Sequence, residues 1–196
     1  MDLNDPEVLQ AIPSLTSLFS DTDFVANVQR KLQDEIDEKI GKERLPSLTD
    51  RSDMSYTEAV INEVLRYSTL TQFAAFHSAT EDVHFRGYFI PKDTMVITNL
   101  YSAHFDEDVW DEPYRFSPER FLDSNGKFQR NENLIPFSSG KRACIGESLS
   151  RIELFLFITS LFQVFTVSAE DKLPTLDPVV GLTLSPVPFK ARFQIR

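Results

Sequence analysis

The residue with the most chemical potential is the one cysteine of the chain, Cys144, which lies in Pro136-Phe137-Ser138-Ser139-Gly140-Lys141-Arg142-Ala143-Cys144-Ile145-Gly146-Glu147. A glycine-containing loop here delivers a thiol to the start of an apolar helix. Free N–H groups and the positive end of a helix favour an anion, so the position favours thiolate over thiol. Coordination to a metal would complete the ionisation. Arg142, two residues earlier, adds a fixed cation able to pair with a carboxylate. Gly140 and Gly146 leave room for a flat group to approach the backbone. The ordinary alternative for a lone cysteine is an inert, buried side chain, so a sulfur packed among apolar neighbours would exclude this chemistry.

A second constellation is polar. Glu63 and Arg66, in Glu63-Val64-Leu65-Arg66, fall at i and i+3 on one face of a helix. Most such pairs are solvated and contribute under about 1 kcal/mol. The histidines at 77, 84 and 104 lack the spacing of a zinc site.

These residues need elements to hold them. Val25, Val28, Leu32, Ile36 and Ile40 recur at helical spacing over Phe24–Ile40, with Gly41 as the stop. Ser55-Tyr56-Thr57-Glu58 reads as a capping box opening a helix to about Ser68. Val83, Phe85, Tyr88, Ile90 and Met95–Leu100 read as short strands with turns at Arg86-Gly87 and Pro91-Lys92-Asp93. Residues 101–136 read as loop. Gly146 to about Val167 reads as a helix that is apolar nearly all round, hence central and buried. The tail from Lys172 has the prolines and short extended pieces of an edge hairpin. The class is mainly α with a small β-sheet.

Composition narrows the function. The 196 residues carry 20 basic and 30 acidic side chains, a formal charge of −10. That balance disfavours nucleic acid, whose phosphates need a basic face. The 17 phenylalanines call for a large interior or a flat apolar ligand. One cysteine excludes an internal disulfide, and a reducing compartment fits. Neither a signal peptide nor a membrane anchor is evident; the apolar run Ile152–Val167 is interrupted and short of the roughly 20 residues of a span.

The cysteine segment resembles the Phe-x-x-Gly-x-Arg-x-Cys-x-Gly signature of the cytochromes P-450. Five fixed positions, one a rare cysteine, arise by chance in such a chain with odds on the order of 10⁻⁵ to 10⁻⁴. Glu63 and Arg66 match the family's Glu-x-x-Arg helix, and Phe116-Ser117-Pro118-Glu119-Arg120-Phe121 is similar to its Pro-Glu-Arg-Phe turn. The resemblance is to the microsomal animal type, the drug- and steroid-metabolising group. It runs from about residue 28 to the C-terminus and implies the C-terminal, haem-binding part of the fold.

The resemblance implies haem b, with Cys144 as the iron ligand and Phe137, Gly140 and Gly146 around it. Arg142 and His77 would neutralise haem propionates, although Gln72 and Phe76 stand where the family usually has prolines. Arg120 would join Glu63 and Arg66 in a structural charge triad. His104 and Trp110 fit a family loop as structural residues. Phe73, Ala74, Ala75, Leu182, Thr183 and Leu184 would line a pocket for an apolar small molecule, or equally serve as ordinary core. An NADPH-dependent flavoprotein reductase would supply electrons, with Lys141 a candidate contact. The intact protein would act at the cytosolic face of the endoplasmic reticulum membrane. The family's oxygen-activating helix should lie just upstream of residue 28, and residues 1–27 contain no matching pattern. The activity implied is monooxygenation; the alternative is a truncated remnant without intrinsic catalysis.

Overall fold

The computed structural model describes residues 22–170, 175 and 178–196, so most of segment 1–27 lies outside the described residues. Helix α1, Thr22–Lys39, buries Val28, Leu32 and Ile36, with Ile40 continuing the stripe just past its end. This is the i, i+4 spacing of the sequence made into a core face. The helix ends where Gly41 takes φ +75° and its N–H, with that of Ile40, returns to the Ile36 carbonyl.

Helix α2, Ser55–Ser68, has buried residues on nearly every side. Its start corrects the capping-box reading. Ser55 is the first helical residue, and the N-cap Met54 makes no side-chain cap. Glu35 reaches across from α1 to accept the Tyr56 and Thr57 N–H groups at 2.9 and 2.8 Å. Glu58 pairs with Arg51 instead. A capping box does form earlier, between Ser47 and Asp50, at the 3-10 turn Leu48–Asp53. A long-range carboxylate does the work that a local one was assigned.

Among the described residues the extended segments form four small two-stranded ladders. Strand β1, His77–Ser78, pairs with β4, Met95–Val96. Strands β2, Val83–Phe85, and β3, Tyr88–Ile90, form a hairpin whose turn places Arg86 and Gly87 at positive φ. A short helix α3, Leu100–His104, replaces the end of the predicted strand; Asn99 caps it by accepting the Ser102 N–H.

Helix α4, Glu147–Val164, buries Phe155, Ile158, Thr159, Phe162 and Gln163 against α1 and α2. Leu149 and Phe157 are 60% and 50% exposed, so within this chain it is not buried all round. It also stops earlier than its hydrophobicity suggested. Phe165–Ala169 becomes strand β5, paired antiparallel with β8, Ala191–Ile195, because aromatic and β-branched residues there find a partner strand. In the tail, β6, Val179–Val180, and β7, Leu184–Ser185, make a small hairpin. Among the described residues no helix is long and apolar enough to cross a membrane.

Gln29 stitches α1 to β5. Its amide donates to the Val167 carbonyl at 3.1 Å and accepts the Val167 N–H at 2.7 Å, serving buried peptide groups on the face of β5 toward the helix. Gln29→Leu should strand both groups and lower the unfolding free energy by about 1–3 kcal/mol in urea titration; an unchanged midpoint would refute the assignment.

Candidate functional site

The cysteine loop is shaped by its own backbone. Ser138 and Gly140 take φ +64° and +78°. The Ser138 N–H donates to the Ile135 carbonyl at 2.9 Å, and Gly140–Arg142 forms one 3-10 turn. The Cys144 N–H then donates to the Phe137 carbonyl at 2.9 Å, closing the loop on itself. A side chain at Gly140 would meet nothing within 4 Å, so its backbone angle, not crowding, calls for glycine. A Cβ at Gly146 would lie 3.7 Å from the Cys144 sulfur, beside the open thiol.

Cys144 is exposed, and Ile145 beside it is fully so. The sulfur therefore does not pack in the core. Helix α4 follows at once, with Gly146 as N-cap. Phe137 is half-buried, and the Arg151 guanidinium of α4 lies 5.3 Å over its ring. Arg151 also pairs with Glu147 at 2.8 Å and donates to the Asn62 side chain at 3.1 Å, joining α4 to α2 under the loop. Arg151 escaped the motif reading; its only sequence signal is the i, i+4 spacing from Glu147.

Arg142 and Lys141 are exposed, without a hydrogen-bond or ion-pair partner among the described residues. His77 lies in β1 opposite Val96, half-buried, and no hydrogen bond joins it to the cysteine loop. The two candidate pocket stretches do meet: the Leu184 N–H donates to the Leu70 carbonyl at 2.8 Å, bringing the tail hairpin beside residues 70–75. Phe73 and Ala75 are exposed there, and so is Leu182, at 91%. Ala74 turns the other way and is buried, with its N–H on the Thr98 carbonyl, which takes it off that open surface. Thr183 and Leu184 are half-buried.

Glu63, Arg66 and Arg120 converge. Arg66 grips Glu63 through two bonds of 2.7 and 2.9 Å, and Arg120 adds a third at 3.2 Å. Glu63 and Arg66 have no exposed surface. The fourth bond to the carboxylate comes from the Ser117 N–H at 2.7 Å. Spare guanidinium donors reach the backbone: Arg66 to the carbonyls of His104 and Arg115, Arg120 to those of Asp111 and Arg115. The Arg66 guanidinium also lies 5.4 Å from the ring centres of Phe105 and Trp110. A buried carboxylate, two cations and a loop of carbonyls thus form one hydrogen-bonded cluster, in which peptide dipoles take up the excess positive charge.

His104 completes the connection. Its ring is buried, with Nδ1 3.1 Å from the Thr69 hydroxyl and Nε2 accepting the Ile135 N–H at 3.0 Å. Burial first, and the nearby Arg66 charge second, hold its pKa down at about 4. A depressed histidine stabilises the fold above the unfolded value near 6.5, and this stability is lost as pH falls toward 4. The stability of wild type relative to His104→Gln should therefore fall between pH 6.5 and 4, by on the order of 3 kcal/mol in denaturant titrations. A pH-independent difference would contradict the neutral, buried imidazole. Glu63→Gln should leave two guanidiniums undercompensated and cost about 3–5 kcal/mol by the same measurement.

Comparison with known proteins bears on this arrangement. Residues 26–193 match the family model for Cytochrome P450. The chain is 45% identical over 166 residues to Cytochrome P450 2D14 of Bos taurus and to Cytochrome P450 2D6 of Homo sapiens, covering 84% of this chain and 33% of each relative. It is 46% identical over 164 residues to Cytochrome P450 2U1 of Bos taurus, covering 83% of this chain and 30% of that one. The chain therefore spans about a third of the length of the curated relatives it matches. Its mainly helical body with small ladders, its exposed cysteine at the head of α4 and its match along nearly the whole described length agree, and the chain belongs to the cytochrome P450 family.

Proposed function

We propose that this chain is the haem-holding part of a haem-thiolate monooxygenase, an enzyme that inserts one atom of O₂ into an apolar small molecule. The observation that carries the reading is the exposed Cys144 thiol, presented by a loop closed through the Phe137 carbonyl at the head of a helix packed into the core. The donor set fits haem b. Cys144 would be the soft sulfur ligand that holds the iron. Arg142 offers an exposed guanidinium without a partner among the described residues, suited to a propionate. Apolar groups at Ile145, Phe73 and Leu182 are exposed, as an apolar ligand and a flat ring would require.

When bound, haem would supply the oxygen-activating and redox chemistry, with Cys144 as its sulfur donor. The chain's own residues do the rest. Cys144 holds the ligand sulfur, and the Phe137 carbonyl fixes the Cys144 peptide. Arg151 stacks on Phe137 and so braces the loop from α4. Arg142 and His77 are the candidate propionate partners. Phe73, Ala75, Thr183, Leu184 and Leu182 are the candidate substrate contacts. The exposed Lys141 beside Arg142 offers a basic contact for an acidic NADPH-dependent flavoprotein reductase. The relatives' family also supports placement of the intact protein on the cytosolic face of the endoplasmic reticulum membrane.

Expression of the chain with a haem supply, followed by reduction and carbon monoxide, tests the reading. A Soret band shifted by thiolate ligation is expected, and Cys144→Ser should abolish that shift. A chain that folds but takes up no haem would refute it and favour a non-catalytic remnant.

A further inference from the structure

We infer that His104 is a positioning residue for the cysteine loop: as its Nδ1–H tautomer it fixes the Ile135 peptide, at the entry of the loop, to the buried Glu63–Arg66–Arg120 cluster. The inference deepens the haem-thiolate reading and rests on it for one of its readouts.

The geometry selects the tautomer. The Thr69 hydroxyl donates its hydrogen to the Arg66 carbonyl at 2.6 Å, so toward His104 Nδ1 it can only accept. Nδ1 must carry the proton. On the opposite side of the ring the Ile135 N–H points at Nε2 from 3.0 Å, so Nε2 must offer its lone pair. Both contacts demand the same neutral form, and neither survives a ring flip or the other tautomer. The imidazole is thereby locked between the end of α2 and the loop.

The peptide it holds is well placed. Ile135 gives its N–H to His104 and its carbonyl to the Ser138 N–H, the first turn of the loop. One residue before Ser138 is Phe137, whose carbonyl accepts the Cys144 N–H. The backbone of His104 is fixed in turn. Its carbonyl accepts from Arg66 at 2.8 Å, and the neighbouring Ala103 carbonyl accepts the Trp110 indole N–H at 2.9 Å. A chain of direct bonds thus runs from the buried charge cluster through one imidazole to the peptide at the entry of the cysteine loop. Three elements far apart in sequence are tied at a single ring.

Two isosteric replacements separate positioning from mere core filling. The Gln amide oxygen reaches the place of Nε2 and can accept the Ile135 N–H; the Asn amide reaches only the place of Nδ1. His104→Asn should speed hydrogen exchange at the Ile135 amide by about tenfold, the worth of one lost bond. It should also convert part of the thiolate-shifted carbon monoxide band to an unshifted one. His104→Gln should keep both near wild type. In the unaltered chain, ¹⁵N chemical shifts at pH 7 should report Nδ1–H and a bare Nε2, a measurement that needs no variant to fold. Equal behaviour of the Asn and Gln variants, or an Nε2–H ring, would overturn the inference. So would a raised Ile135 exchange rate with an unchanged band in His104→Asn. Should the chain take up no haem, the haem reading fails on its own test, while amide exchange and the ring tautomer still decide this one.

Discussion

A carboxylate with no access to water must be neutralised by the protein around it, and Glu63 meets that requirement with two guanidiniums and one peptide N–H. Desolvating such a charge costs several kcal/mol unless geometry is close to ideal. That cost makes the cluster selective about its surroundings. Each guanidinium has more donors than Glu63 can accept, and the surplus goes to peptide carbonyls at 104, 111, 112 and 115. The segment from α3 to the 3-10 turn Pro118–Phe121 has little regular structure, and these bonds give it a defined course. Its conformation is thus set by charge satisfaction, where a helix or sheet would be set by its own ladder.

The cysteine loop depends on the same cluster at one remove. It carries glycine and serine at positive φ, conformations with no stability of their own. Three outside contacts compensate: the His104 ring at Ile135, the Arg151 guanidinium over Phe137, and the entry into α4, whose apolar face joins α1 and α2 in the core. Rigid supports around the exposed thiol hold it in one defined position. The arrangement places one reactive side chain at the surface and buries nearly everything that orients it.

Contrasting with that buried frame is the chain's open apolar surface. Phe73, Phe76, Leu182, Ile145, Leu149 and Phe157 all expose half or more of their area. On a chain spanning a third of its relatives' length, such a surface accords with further protein or ligand packing against it. The long helices α1, α2 and α4 nevertheless share one continuous core, so the described elements carry their own organisation.

Much was legible without coordinates, because some properties are local. Period-3.6 apolar spacing placed α1, the Ser55–Glu58 pattern placed the start of α2 though not its cap, Arg86-Gly87 placed a turn, and the spacing of Phe137, Gly140, Arg142, Cys144 and Gly146 singled out the thiol. Local letters failed wherever a distant group took over a local role. Glu35 caps α2 from another helix, so the box read at Ser55 does not form. Phe165–Ala169 leaves the helix because β8 offers a ladder, which no window of sequence contains. The sequence by itself determined which side chains could do chemistry and which stripes must be buried, since both follow from residue type and spacing. Only the tertiary structure decided that Ile135 meets a neutral histidine, that Ala74 turns inward, and that surplus arginine donors end on four particular carbonyls. Hydrogen bonds between residues tens of positions apart depend on how elements pack, and packing is a property of the whole chain.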